Sequence, residues 1–247
     1  MLEPFPIIQV AKEAAEAYEE VGTKAKFWFY DEQRGRCLFK KARPNTGEDW
    51  SEKVAAELAK MLGLPHASYE LATSDGERGT VSPSFIPAGG ELSLGNELLS
   101  PTIPGYPQTE DSPSQHTVAQ VFSILKDSTL ELPYGWDVLA NITEAPHVFV
   151  GYLLLDAWIG NTDRHHENWG VIKLESLTYL APTYDHASSL GRNLPDSERY
   201  GRFKTTDQGF TVQAFVMKGK SCLYRRTTDN RPLKVHAAFL EAAAESC

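Results

Sequence analysis

The sequence has few cysteines, no excess of positive charge and no long apolar run, and each of these absences argues against a class of protein. Three cysteines, Cys37, Cys222 and Cys247, are spread over 247 residues. Their odd number and wide spacing disfavour a disulfide framework and favour a reducing compartment. With 24 Lys and Arg against 33 Asp and Glu, the net charge is −9, which disfavours general nucleic-acid binding through phosphate contacts.

Apolar residues form no run long enough to cross a bilayer. The most apolar run covers residues 148–155, far short of the ~20 residues that a membrane span needs. Residues 1–6 contain Glu3 and two prolines and lack the basic start and apolar centre of a signal peptide. The length and the 41% hydrophobic content are typical of a soluble chain with one two-lobed domain or two small ones. We therefore predict a cytoplasmic protein without membrane contact.

Periodicity predicts a strand-rich first part and a helix-rich second part. The predicted elements are, in chain order, helix 9–21, strands 27–30 and 37–40, helix 50–62, strands 67–72 and 79–86, helices 117–126 and 148–158, a hairpin over 171–181, and helix 233–245. A Pro-Ala-Gly-Gly stretch at 87–90 is typical of a hinge. We predict an α+β, bilobal fold with an N-lobe over 1–86 and a C-lobe over 87–247.

The most informative segment contains Asp163, Asn168 and Asp185. The apolar runs 171–174 and 178–181 predict a hairpin, which would bring Asn168 and Asp185 together. One Asp that takes a proton from a hydroxyl, with an Asn and a second Asp that bind Mg²⁺, is the layout of a phosphoryl-transfer site. The Asp-x4-Asn spacing alone also fits a solvated loop with a capping Asp.

Two lysine-containing segments in the first part are candidates for phosphate binding. Gly22, Thr23, Lys24 and Lys26 precede the first of the paired strands, where backbone N–H groups and ammonium groups would enclose phosphates. Most short strings of this kind are plain turns. Lys40 ends the next strand, where an inward-facing ammonium would reach the α- and β-phosphates of a nucleotide and an outward-facing one would be solvated.

The whole string Gly-Asn-Thr-Asp-Arg-His-His-Glu-Asn-Trp-Gly at 160–170, with Leu-Ala-Pro-Thr-Tyr-Asp at 180–185, closely resembles the catalytic and metal-binding segments of HipA-like serine/threonine kinases. A looser resemblance extends to type II phosphatidylinositol 4-kinases. The resemblance covers about residues 20–190 and is most specific at 160–185. It implies a protein-kinase-like fold and an ATP- and Mg²⁺-dependent enzyme that phosphorylates protein serine or threonine.

The resemblance also implies roles for single residues. Asp163 would position the acceptor hydroxyl and take its proton, while Asn168 and Asp185 would bind Mg²⁺. The segment 22–26 has the family's Gly-x-x-x-Lys form and would cover the phosphates. In the family this loop carries a serine whose autophosphorylation controls activity. Here the hydroxyl residue is Thr23 and not a serine, so we do not expect an autophosphorylation switch in this loop.

The family's nucleotide lysine corresponds to Lys40, and a glutamate on helix 50–62 would hold it in place. Glu52 and Glu57 both lie off the predicted apolar stripe, which includes Met61. Glu52 lies where the family's glutamate does, and we prefer it to Glu57.

The remaining nucleotide contacts come from two segments. Phe85 and Ile86 follow the last N-lobe strand, and their backbone would face adenine. Tyr184 adjoins the metal-binding Asp, and His165 matches the family's Asp-x-His-x-x-Asn pattern. We reject zinc for His165 and His166, because adjacent histidines do not face one site on a regular element and no further Cys or His has suitable spacing.

Four polar residues near this segment have more than one interpretation. Arg164 is a candidate salt-bridge residue, and Asp156 a candidate buried partner that orients the loop. Ser188 and Ser189 are candidate phosphorylation sites, although small-residue loops of this kind are usually structural.

Two rival functions remain. A small-molecule or lipid kinase would use the same cleft, and a nucleotide-binding pseudokinase would recruit a partner through loop 100–116 and the basic region 192–232. The intact set of Asp163, Asn168 and Asp185 argues against the pseudokinase. Beside a protein substrate, the candidate partners are an antitoxin or a chain that supplies the family's extra N-terminal subdomain.

Overall fold

The computed structural model of the chain describes residues 3–19, 26–107 and 113–246. Its strands are β1 (Ile7–Val10), β2 (Ala17–Glu19), β3 (Lys26–Asp31), β4 (Gly35–Lys41), β5 (Glu70–Ser74), β6 (Glu77–Pro83), β7 (Glu91–Leu94), β8 (Leu130–Glu131), β9 (Gly170–Leu174) and β10 (Leu177–Leu180). Its α-helices are α1 (Glu48–Met61), α2 (Gly95–Leu99), α3 (Val118–Leu125), α4 (Ala145–Ile159), α5 (Asp196–Lys204), α6 (Val212–Lys218) and α7 (Val235–Glu245).

The strands form two sheets. Within the described ranges, six strands follow the order β1-β5-β6-β4-β3-β2, and four follow the order β7-β9-β10-β8; we call these the N-terminal and C-terminal sheets. In the N-terminal sheet β1 is parallel to β5, and the other pairs are antiparallel. Residues 84–90 connect the two sheets, and the division into 1–86 and 87–247 stays a prediction.

The helix predicted over residues 9–21 is wrong. Its described residues, 9–19, contain the end of β1, a single 3-10 turn at Lys12–Ala14, and β2, while Glu20 and Val21 lie outside the described residues. Both strands lie at the edges of the N-terminal sheet, where pairing with β5 and β3 satisfies their backbone groups. Val10 is buried in the core of that sheet, so an apolar spacing that suited a helix serves strand packing instead.

Helix α1 confirms the prediction over 50–62, but its buried face differs from the predicted stripe. Met61 was part of that stripe, and it is 78% exposed. The buried apolar residues are Ala55, Ala56 and Ala59, and of these Ala55 and Ala59 pack against Leu155 and Ile159 of α4. Small side chains allow helices to approach closely, so α1 contacts the helical part of the protein as well as the N-terminal sheet.

Helix α4 is central to the second part, as its apolar sequence predicts. It starts with Pro146 in its first turn and ends at Gly160, which is left-handed with φ of 66°. Val148, Phe149 and Tyr152 lie in the main core, together with residues of α3 and α7. Because Gly160 turns the chain sharply, α4 delivers the following residues directly to one end of the C-terminal sheet.

The predicted hairpin is confirmed as β9 and β10, which pair with Val171 opposite Leu180. Strand β7 and helices α2, α5 and α6 were not predicted. Among the residues that the structure describes, none of the helices combines the length and the apolarity that crossing a membrane requires.

Candidate active site

A buried ion pair organises the segment after α4. Arg164 is only 1% exposed, and its Nε and Nη2 each donate a hydrogen bond of 2.8 Å to an oxygen of Asp156. Burial alone lowers the pKa of Arg164, but the charge of Asp156 outweighs this and the pKa lies above its ordinary value. The predicted salt bridge is therefore present, and Asp156 is its buried partner.

The same guanidinium ties the segment to the loop after β10. Its Nη1 donates to the carbonyl of Asn168 at 2.8 Å, and its Nη2 donates to Thr183 Oγ1 at 2.9 Å. Tyr184 Oη donates to the carbonyl of Glu167 at 2.8 Å. The hairpin thus brings the two polar segments at its ends into contact, as the sequence predicts.

Asp163 is held by its neighbours on both sides. Its backbone N–H donates to Asn161 Oδ1 at 3.1 Å, and Asn161 Nδ2 donates to Asp156 Oδ1 at 2.8 Å. The carboxylate borders the cleft between the two sheets, where its Oδ2 accepts a hydrogen bond from Ser188 Oγ at 3.0 Å. A fixed backbone and a cleft-facing carboxylate suit a group that accepts a proton from a bound hydroxyl.

Lys40 and Asp185 form the ion pair that crosses this cleft. Lys40 Nζ donates to Asp185 Oδ1 at 2.7 Å. Burial alone lowers the pKa of Lys40, but the charges of Asp185 and Glu52 outweigh it and raise the pKa above its ordinary value. Asp185 has a left-handed backbone with φ of 54°, an uncommon conformation for a non-glycine residue that often marks functional positions.

Glu52 on α1 is close to this pair but makes a different bond from the one predicted. Its Oε1 accepts from the backbone N–H of His186 at 2.6 Å, and its Oε2 is buried without a hydrogen-bond partner among the described residues. Lys40 is therefore bonded to Asp185 and not to Glu52. Glu57 pairs with Lys53 at 2.6 Å, away from Lys40.

Asn168 and Asp185 carry the chemistry for a Mg²⁺ site. Asn168 is buried, and its Nδ2 donates to the carbonyl of Asp163 at 2.6 Å, so the Oδ1 is the amide atom left for a ligand role. Carboxylate and amide oxygens, completed by water and phosphate oxygens, are ligands that Mg²⁺ accepts. The residue types therefore fit the ion. Within the described residues, no group of three or more His, Cys, Asp or Glu side chains is placed to hold a metal.

The cleft has a volume of about 770 Å³ and both apolar and charged walls. Phe85 and Ile86 line it, and the Phe85 ring stacks on Tyr184 with centroids 5.3 Å apart. The hydroxyl of Tyr69, which also lines the cleft, accepts a hydrogen bond from the Asp185 N–H at 3.2 Å. A cleft with an apolar side and a charged end has the character of a site for an organic ligand with an anionic group.

The two adjacent histidines have separate surroundings. His165 lines the cleft, and its Nδ1 accepts from the backbone N–H of Glu167 at 3.2 Å. His166 is buried, with Nδ1 2.9 Å from the hydroxyl of Tyr106. Tyr106 belongs to the long loop predicted over 100–116, so this part of the loop folds back onto the catalytic segment.

Behind His166 lies a third histidine, His116, that is fully buried and neutral. Trp169 Nε1 donates to its Nε2 at 3.1 Å, and its Nδ1 lies 3.0 Å from the carbonyl of Cys222. Because an indole N–H only donates, the His116 proton sits on Nδ1. Burial lowers the pKa of His116 to about 3.

The predicted phosphate loop is described only in part. Gly22, Thr23 and Lys24 lie outside the described residues. Lys26, which starts β3, lines the cleft.

Sequence reasoning gave no role at this site to Arg43 or Arg192. Both line the cleft. Arg192 is buried and pairs with Glu48 of α1 at 2.7 Å, while Arg43 Nη1 lies 3.5 Å from the same carboxylate. The only sequence signal is that Arg192 follows Asp185 by seven residues, whereas the charge pattern places Arg192 in the basic region 192–232.

Comparison with known proteins gives a result at the level of structure. No protein-family model and no curated protein sequence matches this chain. The proinflammatory kinase CtkA of Helicobacter pylori is 18% identical over 98% of this chain and 82% of its own, with a TM-score of 0.67. HipA of Shewanella oneidensis, solved with HipB and operator DNA, is 13% identical over 92% of this chain, with a TM-score of 0.56.

The chain has a HipA-like kinase fold. The predicted α+β, bilobal fold class is thereby confirmed: the N-terminal sheet and α1 form the small lobe, and the C-terminal sheet with α4 forms the centre of the other. The match spans 52% of the HipA chain, about half of its length. At these identities the likeness concerns the fold, and the chemistry depends on the residues of the cleft.

Proposed function

We propose that this chain is an ATP- and Mg²⁺-dependent kinase that transfers the γ-phosphate of ATP to a serine or threonine hydroxyl of a protein. One observation carries the proposal. Lys40, Asp163 and Asp185 border a single cleft in a kinase-like fold, with Lys40 and Asp185 joined at 2.7 Å. A cation for the phosphates, a carboxylate for the metal and a carboxylate for the acceptor hydroxyl are the groups that phosphoryl transfer requires.

The nucleotide would lie across the cleft. The stacked rings of Phe85 and Tyr184 offer an apolar surface for adenine beside the backbone of residues 84–86. Lys26 and Lys40 line the same cleft and would neutralise phosphate charge. Asn168 and Asp185 would hold Mg²⁺, which would supply positive charge to offset the negative charge that develops in transfer.

Lys40 has a second carboxylate within its electrostatic reach. Its pKa responds to Glu52 as well as Asp185, and Glu52 Oε2 has no hydrogen-bond partner among the described residues. When Asp185 serves as a metal ligand, Lys40 would turn to Glu52. The predicted Lys40–Glu52 pair would then belong to the nucleotide-bound state.

Asp163 would orient the acceptor hydroxyl and accept its proton. Its backbone is fixed through Asn161, so the carboxylate needs little reorganisation when a substrate binds. With little covalent chemistry left to the protein, alignment and charge neutralisation would supply most of the rate. The resemblance of residues 160–185 to HipA-like serine/threonine kinases supports a protein acceptor.

The test is incubation of the purified protein with Mg²⁺ and γ-labelled ATP, alone and with a bacterial lysate, beside Asp163→Asn. We expect labelled protein bands that depend on the intact carboxylate, and their mass would identify the substrate. Label on small molecules would favour the metabolite or lipid kinase. ATP binding without any transfer or hydrolysis would favour the pseudokinase.

The proposal extends to a partner chain. The solved HipA structure contains HipB, which supports a search for an antitoxin-like partner here. Expression of the intact chain in a bacterial host should slow growth, and Asp163→Asn should not, if phosphorylation is toxic. Equal growth with both chains at matched expression levels would argue against a toxin.

A further inference from the structure

A serine hydroxyl already occupies the position that a phosphate acceptor needs. Ser188 Oγ donates to Asp163 Oδ2 at 3.0 Å, and both side chains line the cleft. The backbone holds this contact, because the carbonyl of Ser188 accepts from Thr162 N at 3.2 Å. A hydroxyl within hydrogen-bond distance of the proton-accepting carboxylate meets the geometric condition for general base catalysis.

The surroundings of Ser188 also suit a phosphorylated side chain. Arg192 Nη2 lies 3.0 Å from Ser188 Oγ, and its Nε is a buried nitrogen without a hydrogen-bond partner among the described residues. Arg43 also lines the cleft, and its Nη1 lies 3.5 Å from Glu48, the carboxylate that pairs with Arg192. Phosphoserine carries up to about two negative charges and pairs strongly with arginine.

The neighbouring serine has a different environment. Ser189 is buried, and its Oγ donates to the carbonyl of His186 at 2.7 Å. It is also 3.0 Å from Ser51 Oγ, in the packing between α1 and the loop. Of these two serines, only Ser188 borders the cleft.

We propose that Ser188 is an autophosphorylation site of this chain, modified within the same molecule and then held by Arg192. This inference rests on the proposed kinase activity. In the step, a bond forms between Ser188 Oγ and the γ-phosphorus of ATP, and the bond from that phosphorus to the β–γ bridging oxygen breaks. ADP leaves with the bonding electron pair, and the hydroxyl proton passes to Asp163.

Modification at this position would change the contact with Asp163. The Ser188 hydroxyl donates a proton to the carboxylate, whereas a phosphate ester dianion has no proton to donate and is repelled by it. Phosphoserine would therefore swing toward Arg192 and leave Asp163 open to a separate acceptor hydroxyl. The unmodified serine would compete with that acceptor.

The first experiment maps phosphate by mass spectrometry after incubation with Mg·ATP. Trypsin releases the peptide from Leu174 to Arg192, which contains Ser176, Ser188 and Ser189, and fragment spectra separate the three. We expect phosphate on Ser188 in the intact protein and in Ser189→Ala, and none on this peptide in Ser188→Ala or Asp163→Asn. The fraction labelled per minute should stay constant over a tenfold range of protein concentration, since the reaction is intramolecular.

Hydrolysis of ATP by the intact protein, or its transfer to lysate proteins, is measured in the same samples. If either occurs while Ser188 stays unmodified, the inference is overturned and the proposed function stands. A labelling rate that rises in proportion to protein concentration also overturns it, because it shows transfer between molecules. If neither hydrolysis nor any transfer occurs, the proposed function fails and takes the inference with it.

A second experiment does not depend on activity. Phosphoserine is incorporated at position 188 by codon suppression, and the crystal structure of that protein is solved without nucleotide. The expected result is a phosphate bonded to Arg192 and turned away from Asp163. A phosphate that points into solvent and makes no contact with Arg192 would overturn the Arg192 part of the proposal.

Discussion

Lys40 of β4 and Asp185 of the loop after β10 are joined by an ion pair of 2.7 Å, although 145 positions separate them in the chain. This pair links the N-terminal sheet to the segment that follows the C-terminal sheet. It holds the predicted phosphate lysine and the predicted metal ligand in direct contact.

Asp163→Asn should separate transfer from binding. The substitution removes the proton acceptor, whose contribution is about 10²–10⁴-fold in rate, and leaves Lys40, Asn168 and Asp185 in place. We expect the transfer rate to fall by about that factor, with nearly unchanged affinity for Mg·ATP by calorimetry. Asp185→Ala should instead weaken binding itself by about tenfold or more, equivalent to at least ~1.4 kcal/mol. An Asp163→Asn protein with an unchanged transfer rate would contradict the assignment of Asp163 as the proton acceptor.

Glu52→Gln should reduce transfer, and Glu57→Gln should not. Glutamine at position 52 keeps an oxygen for the His186 N–H but removes the charge that Lys40 would pair with when Asp185 binds metal. We expect a loss of about tenfold or more in kcat/KM for ATP, or ~1.4 kcal/mol of transition-state stabilisation. Glu57 is the matched control, because it lies on the same helix and pairs with Lys53. Equal losses in both variants would contradict the choice of Glu52.

Asp156→Asn should destabilise the protein strongly. It leaves the guanidinium of Arg164 buried without its carboxylate, a change that typically costs about 3–5 kcal/mol. Denaturant unfolding would measure the loss. Glu241→Gln offers a control, since it breaks the exposed pair with Arg225 and should cost about 1 kcal/mol or less. Similar losses for the two substitutions would show that Arg164 tolerates the missing charge.

The buried His116 should make the fold sensitive to acid. Its pKa is about 3 in the folded protein and about 6.5 when unfolded, so the unfolded chain binds the proton first as the pH falls. The contribution of neutral His116 to the free energy of unfolding is complete above pH ~6.5 and decreases as the pH falls below that value. Between pH 7 and pH 5 this decrease amounts to about 2 kcal/mol.

Denaturant unfolding at several pH values would test this linkage. His116→Gln removes the titrating group and should flatten the pH dependence between pH 7 and pH 5, whatever its effect at pH 7. Parallel pH profiles for the two proteins would show that another group causes the acid sensitivity. His66, whose pKa is also lowered by burial, remains in both proteins and cancels in the comparison.

The features that sequence predicts well are local. The hairpin of β9 and β10, the apolar helix α4 and strands β3 and β4 follow from periodicity over a few residues. The sequence suggests Arg164 as a salt-bridge residue and Asp156 as a buried residue that orients the loop, and the structure shows that the two pair with each other. The candidate site was recognisable because its resemblance to HipA-like kinases is concentrated in one short segment, residues 160–185.

The features that sequence predicts poorly depend on tertiary contacts. Residues 9–21 have a helical apolar spacing, yet strand pairing at two edges of the N-terminal sheet decides their conformation. Helix α1 buries Ala55 and Ala59 and exposes Met61, because α4 packs closely against α1 and only small side chains fit between the two helices. The position of Arg192 beside Ser188 follows from the path of the loop after Asp185, which no local pattern encodes.

The Lys40–Glu52 pair illustrates a different limit. Lys40 on β4 and Glu52 on α1 lie near the cleft, as predicted, but the carboxylate that pairs with Lys40 is that of Asp185. Under the proposed function, a metal bound at Asp185 would shift Lys40 from Asp185 to Glu52. The sequence identifies Lys40, Glu52 and Asp185, but it does not show which of the two carboxylates pairs with the lysine.

The buried guanidinium of Arg164 has a consequence for how the site opens. It bonds to Asp156 at the end of α4, to the carbonyl of Asn168 and to Thr183 beyond the hairpin. If any one of these segments unfolds, the buried guanidinium of Arg164 loses a hydrogen-bond partner. We therefore expect the three segments to unfold locally as a single unit. The protected amide hydrogens of 161–169 and 183–189 should therefore report one common free energy of opening in hydrogen–deuterium exchange.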